Sequence, residues 1–127
     1  MISVLIIDDD ERVAITLGKQ VRALGYDARV CVSAEMALLA LAGHAVDVVL
    51  ADVLMPGMSG FELVERMRAH GLDVPVVLFS GDSSVATAIE AQRVGAVRFL
   101  TKPISLDDLR DALSVAAPKE ATDDMAR

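Results

Sequence analysis

Hydrophobic and polar positions follow two rhythms along this chain. Short, nearly continuous apolar runs of strand length recur at Ser3–Ile7, Ala28–Val32, Asp47–Ala51, Val76–Phe79 and Val97–Leu100. Between them lie longer stretches with apolar residues every three to four positions, the spacing of a helix that buries one face. Val13, Leu17, Val21 and Leu24 form one such stripe, closed by Gly25; Phe61, Val64 and Met67 form another, closed by Gly71. Further helices are expected at about 34–42, 84–94 and 106–116, with Ser33 and Ser105 as N-caps and Gly43 and Gly95 as terminators.

Strands apolar on both faces belong inside a parallel sheet, and parallel neighbours need right-handed helical crossovers. Five consecutive units of this kind predict an α/β fold: a doubly wound, five-stranded parallel sheet of order 2-1-3-4-5, the flavodoxin-like (βα)5 arrangement. At 127 residues the chain fits one domain, expected over 1–117, with 118–127 as a polar tail or linker stump.

Composition narrows the function classes. Hydrophobic residues make up 54% of the chain and aromatics only 3%, so the core must be built from Val, Leu, Ala and Ile. A net charge of −7 argues against direct binding of nucleic acid, which rests on Lys and Arg neutralising phosphates. The single cysteine, Cys31, excludes an internal disulfide and reads as a small buried strand residue. The apolar start breaks at Asp8 without the basic opening of a signal peptide, and no run approaches the roughly 18 apolar residues of a membrane span. A cytoplasmic protein without membrane contact is expected.

In a doubly wound sheet, ligands bind beyond the carboxyl ends of the strands, so the residues there carry the most information. The first strand runs into Asp8-Asp9-Asp10, the third into Asp52, the fourth into Ser80-Gly81, and the fifth into Thr101-Lys102-Pro103. Strands one, three and four are neighbours in the expected order, which brings Asp8, Asp9 and Asp52 to one pole. At about 4 Å and an effective dielectric near 20, each like-charged pair costs on the order of 4 kcal/mol, which calls for a compensating cation. Hard oxygen ligands too few for a cage suit Mg²⁺, which keeps waters and shares its shell with phosphate. With the Ser80 hydroxyl and the Lys102 ammonium added, the pole holds a nucleophile, a metal site and two groups able to bind phosphoryl oxygens.

The acidic pair Asp8-Asp9, the run Asp52-Val53-Leu54-Met55-Pro56-Gly57-Met58-Ser59-Gly60, Ser80, and Lys102-Pro103, in this order and spacing, resemble response-regulator receiver domains of two-component signalling. The resemblance covers about residues 2–116. It implies a switch rather than a turnover enzyme. Asp52 would be phosphorylated by a histidine kinase or histidine phosphotransfer protein. Mg²⁺ would be bound by Asp9, Asp52 and the Leu54 carbonyl, with Asp8 acting mostly through water. Lys102 would pair with the carboxylate and then with the phosphoryl group, and its bond to Pro103 would be cis. Ser80 would be the switch hydroxyl and Phe99 the aromatic that moves behind it. The face formed by the fourth helix, fifth strand and fifth helix would then change its affinity for a downstream target protein or a fused output domain. In this family the positions of Leu54 and Asp82 influence the lifetime of the phosphoryl group, and apolar Leu54 cannot orient an attacking water. A phosphorylation-dependent homodimer stays open, although Arg98 departs from the acidic pattern of the winged-helix subfamily.

Other residues have quieter readings. Asp10 reads as a helix cap, His44 and His70 as surface residues at helix ends, Met55 and Met58 as local packing, and Arg93 and Arg98 as solvated charges. Three competing functions remain open on sequence. Asp8-Asp9-Asp10 contains the spacing of haloacid-dehalogenase-like phosphatases, the fold suits a flavodoxin-like electron carrier, and a receiver without phosphoryl chemistry would only bind partners. The first leaves Asp52 and Lys102 unexplained, the second puts acids where a flavin phosphate must sit, and the third leaves an intact acidic set without a role.

Overall fold

The computed structural model describes residues 1–118. The elements run β1 (Ser3–Ile7), α1 (Glu11–Ala23), β2 (Asp27–Cys31), α2 (Ala34–Gly43), β3 (Val48–Asp52), α3 (Gly60–Ala69), β4 (Val76–Ser80), α4 (Val85–Arg93), β5 (Arg98–Thr101) and α5 (Leu106–Ala116). The strands form one parallel sheet in the order β2-β1-β3-β4-β5, as the alternating rhythms require. Beyond Pro118, the tail expected over 118–127 lies outside the described residues.

Alternation within the central strands builds two cores. Leu5, Ile7, Val49, Ala51 and Leu78 pack under α2, α3 and α4 with Ala37, Leu63, Val64, Met67 and Ala91. Val4, Ile6, Val48, Leu50, Val77 and Phe79 face the other way, against Leu17 and Val21 of α1 and Leu109 and Leu113 of α5. The central strands β3 and β4 are buried along their whole length, whereas the edge strand β2 exposes Asp27 and Arg29 and the edge strand β5 exposes its two end residues, Arg98 and Thr101. The expectation of apolarity on both faces therefore holds for the centre of the sheet and fails at its edges, where one side of the ladder has no neighbour.

Helix ends follow local chemistry. Asp10 caps α1 by accepting from the amides of Arg12 and Val13, and Ser33 and Ser105 cap α2 and α5, each cap contributing about 1 kcal/mol. Ser59 and Ser84 cap α3 and α4 in the same way. Gly25, Gly71 and Gly95 adopt the positive φ of helix terminators, but Gly43 does not: it is the last residue of α2 itself, and His44 serves as the cap. No helix of the described residues is long and apolar enough to cross a membrane.

Candidate functional site

Hydrogen bonding carries three strands one residue past the expected ends, while β2 stops one residue short, at Cys31. Asp52, Ser80 and Thr101 are the last residues of β3, β4 and β5 rather than the first loop residues. Asp52 and Ser80 are consequently buried, and their backbones are fixed by the ladder. This rigidity matters, because a group anchored in a strand is held more closely in position than one on a loop.

Asp8, Asp9 and Asp52 each offer a carboxylate oxygen, and these oxygens lie within 4.8 Å of one another. Asp8 is fully buried and Asp9 is exposed, so the cluster opens to solvent on one side. Lys102 reaches in from the end of β5: its Nζ donates to Asp52 Oδ2 at 2.7 Å and stands 3.1 Å from Asp8 Oδ2. Its ammonium also lies 5.2 Å from the centroid of the Phe79 ring. The Lys102-Pro103 peptide is cis.

The electrostatics are unbalanced. Burial pushes the Asp8 carboxyl above its ordinary range, and the Asp10 amide and Lys102 offset this only in part. Burial acts to lower the Lys102 ammonium, but the bonds to Asp52 and Asp8 outweigh it and leave the group raised. The one ammonium pairs with two of the three clustered carboxylates, Asp52 and Asp8, and Asp8 Oδ2 is enclosed with no aligned hydrogen bond beside that ion pair. A buried oxygen held by an ion pair alone, beside two more carboxylates, is a donor set that fits a hard divalent cation such as Mg²⁺.

Loops complete the pole. The Leu54 amide donates to Asp52 Oδ1 at 3.2 Å, and the Leu54 side chain is exposed. Gly60, at the start of α3, allows helix and strand to meet: a Cβ there would stand 2.4 Å from the Asp52 carbonyl oxygen. Ser80 Oγ is buried and accepts from the Asp82 amide at 3.0 Å. The Asp82 carboxylate in turn accepts from the Ser84 amide at 2.8 Å and from Thr87 Oγ1 at 2.9 Å. Phe99 is half-buried beside α4 and lines a shallow hollow of about 330 Å³ with Ala88, Ala91 and Arg98. A second hollow of about 580 Å³ runs from Lys102 between α1 and the β5–α5 loop, walled by Val13, Thr16, Leu17, Pro103 and Ile104.

A sequence profile of the response regulator receiver domain matches residues 4–114. The chain belongs to the response regulator receiver family. It is 35% identical to the transcriptional regulatory protein FixJ of Bradyrhizobium diazoefficiens over 118 residues, which cover 93% of this chain and 57% of FixJ. It is 38% identical to the sensor histidine kinase RcsC of Salmonella typhi over 119 residues, covering 91% of this chain and 12% of RcsC. The receiver domain of the Francisella response regulator 1452 superposes with a TM-score of 0.86 at 28% identity, covering 91% of this chain and 96% of that one. This receiver thus spans little more than half of FixJ and a small part of RcsC. Receiver domains are signalling switches that work with histidine kinases and output domains.

Of the quieter readings, Asp10 caps a helix, Met58 is buried, Met55 is partly buried against the same core, and both histidines are exposed. Arg93 is more than solvated, since it pairs with Glu65 at 3.4 Å and with Glu90. The reading of the sequence passed over Glu35, Ser84 and Thr87, and it quoted Ser59 and Gly60 in the run after β3 without giving either a structural role. Ser59 and Ser84 were legible as serines ahead of helices; the others act across elements and carry no local signal.

Proposed function

We propose that this receiver domain, spanning 1–117, catalyses transfer of a phosphoryl group from a phosphohistidine to its own Asp52. The bond from Lys102 Nζ to Asp52 Oδ2, 2.7 Å long and set within three clustered carboxylates, is the observation that carries this reading. Asp9, Asp52 and the Leu54 carbonyl would hold Mg²⁺, with Asp8 beside them. Bound there, the ion would neutralise charge on the phosphoryl oxygens.

In the transfer, an Asp52 carboxylate oxygen forms a bond to phosphorus while the phosphorus–nitrogen bond breaks. The electron pair leaves with the imidazole nitrogen, the ring departing as neutral imidazole because its other nitrogen carries a proton in the donor, and Asp52 becomes an acyl phosphate. Positioning and charge neutralisation supply most of the catalysis in such reactions. Lys102 follows the charge from carboxylate to phosphoryl oxygen. Ser80 Oγ accepts a hydrogen bond from Asp82, so its own proton is free to be donated to the phosphoryl group.

That donation, with Phe99 moving behind it, would reshape the face of α4, β5 and α5. Val85 and Ile89 of α4, exposed at 74% and 60%, give this face apolar surface for a partner. Carrying the switch from mostly off to mostly on takes about 5.5 kcal/mol of differential stabilisation. The donor would be a cytoplasmic histidine kinase or phosphotransfer protein, and the hollow beside Lys102 is the apolar surface next to the reacting groups that it would cover. The output would be a separate target, a fused domain or a second receiver.

The test is treatment with acetyl phosphate, or with beryllofluoride, in Mg²⁺, reading intact mass and oligomeric state. The native protein should gain one phosphoryl mass with acetyl phosphate, lose the gain in EDTA, and change its association state or target affinity. Asp52→Asn should do none of these. A native protein that takes up neither group, or a variant that takes up the phosphoryl group equally, overturns the proposal.

A further inference from the structure

Glu35 stands in the first turn of α2, away from the carboxylate cluster, and the receiver chemistry proposed above leaves it without a task. Its side chain nevertheless reaches the loop between β3 and α3. Glu35 Oε2 accepts from the Met58 amide at 3.3 Å, across 23 residues of sequence. The same oxygen occupies the space left by the missing side chain of Gly57, where a Cβ would stand only 3.1 Å away. Gly57 has φ +76, so the backbone turns in a conformation that favours glycine just where the carboxylate touches it.

This loop carries Leu54, whose carbonyl is assigned to the metal. Near its start the loop is tied by the Leu54 amide on Asp52 Oδ1 at 3.2 Å, and at its end by the Gly60 amide on the Val53 carbonyl at 2.9 Å. Between these ties, Leu54, Pro56 and Gly57 are exposed. Met55 and Met58 pack their side chains against the core, and the contact with Glu35 is the one side-chain hydrogen bond from another element to the backbone of the middle of the loop among the described residues.

We infer that Glu35 is a positioning residue, a carboxylate on a neighbouring helix that holds the β3–α3 loop so that the Leu54 carbonyl faces Asp9 and Asp52. The inference rests on the proposed Mg²⁺ site. A backbone carbonyl is a weak ligand that binds well only when the turn presenting it is already in place. Groups that orient ligands from outside a metal's own shell typically change affinity 10- to 100-fold. With its exposed setting and long bond, Glu35 belongs at the lower end, about tenfold.

The experiment is calorimetric titration of Mg²⁺ alone into the native chain, Glu35→Gln and Glu35→Met, with the fold checked by circular dichroism. Gln keeps an oxygen that can accept from Met58; Met keeps the length and loses the acceptor. Glu35→Met should bind Mg²⁺ about tenfold more weakly, and hydrogen exchange should show its Met58 amide losing protection. Glu35→Gln should retain both native values. Equal affinity in all three overturns the positioning role while leaving the metal site standing. Equal weakening in Gln and Met also overturns it, since the effect would then be one of charge. A native chain that binds no Mg²⁺ overturns the metal site and this inference together.

Discussion

Lys102 directly follows β5 and Asp52 ends β3, and their 2.7 Å bond crosses the end of the strand between them. The lysine passes the Phe79 ring of β4 on the way, which holds its ammonium at the centre of the acidic pole. Without the lysine, Asp8 and Asp52 would remain as buried charges with no cation. Removing one partner of a fully buried pair costs about 3–5 kcal/mol. Lys102 keeps 27% of its side-chain exposure, which reduces that figure.

Lys102→Met should therefore lose about 2 kcal/mol of stability in urea unfolding without divalent ions. Millimolar Mg²⁺ should stabilise the variant more than the native chain, because the ion takes over neutralisation of the same carboxylates. An unchanged unfolding midpoint would show that the ion pair contributes nothing to the fold.

Gly60 is needed for a steric reason that can be separated from general helix effects. A Cβ at this position would stand 2.4 Å from the Asp52 carbonyl oxygen and 3.0 Å from Val53 Cα, both backbone atoms that cannot rotate away. Gly60→Ala should destabilise the domain by about 3 kcal/mol and slow phosphorylation by displacing Asp52. Gly43→Ala, also helical but with no atom within 4 Å of the added carbon, should be neutral or slightly stabilising. Thermal unfolding of the two variants side by side checks both expectations.

The sequence made the sheet order and the acidic pole legible for one reason. Both follow from local periodicity and from which residues stand at strand ends. Asp8, Asp9, Asp52, Ser80 and Lys102 could be read because a doubly wound topology brings those ends together whatever the side chains between them. The one-residue extension of β3, β4 and β5 was not legible, since periodicity does not reveal where pairing stops, so the strand ranges stopped one residue short of Asp52, Ser80 and Thr101. Glu35 was hidden more deeply. An acidic residue in the first turn of a helix is accounted for by the helix dipole alone, and its reach to Met58 depends on how α2 packs beside the loop.

Asp82 connects the Ser80 hydroxyl to the start of α4 and should register this connection in its titration. The Ser84 amide, then the Thr87 and Ser84 hydroxyls, hold its carboxyl below the usual aspartate value. A depressed folded value stabilises the fold above the unfolded pKa, about 3.9, and this contribution disappears as pH falls through the folded value. NMR titration should place Asp82 below ordinary aspartates, and Thr87→Val should move it upward toward the unfolded value, so that the variant loses less stability than the native chain as pH falls on the acid side. A midpoint unmoved by Thr87→Val would mean that the hydroxyl does not hold the carboxylate in solution.

Under the proposed function, the hollow beside Lys102 would separate recognition of a donor from the chemistry of transfer. A small donor such as acetyl phosphate needs only the carboxylate pole, whereas a protein donor must cover the surface next to it to bring its phosphohistidine within reach. Thr16 is exposed on α1 and lines this hollow without touching the carboxylate cluster. Thr16→Tyr adds bulk there without adding charge, so it should slow transfer from a phosphorylated histidine protein about tenfold or more through steric exclusion. Its rate with acetyl phosphate should stay within about twofold of native, because no contact to Asp52 or Lys102 changes. Phosphoryl uptake from the two donors, followed by intact mass, gives both rates on one sample. Equal slowing with both would place the effect in the reacting groups themselves, and no slowing with either would place the protein donor on another face.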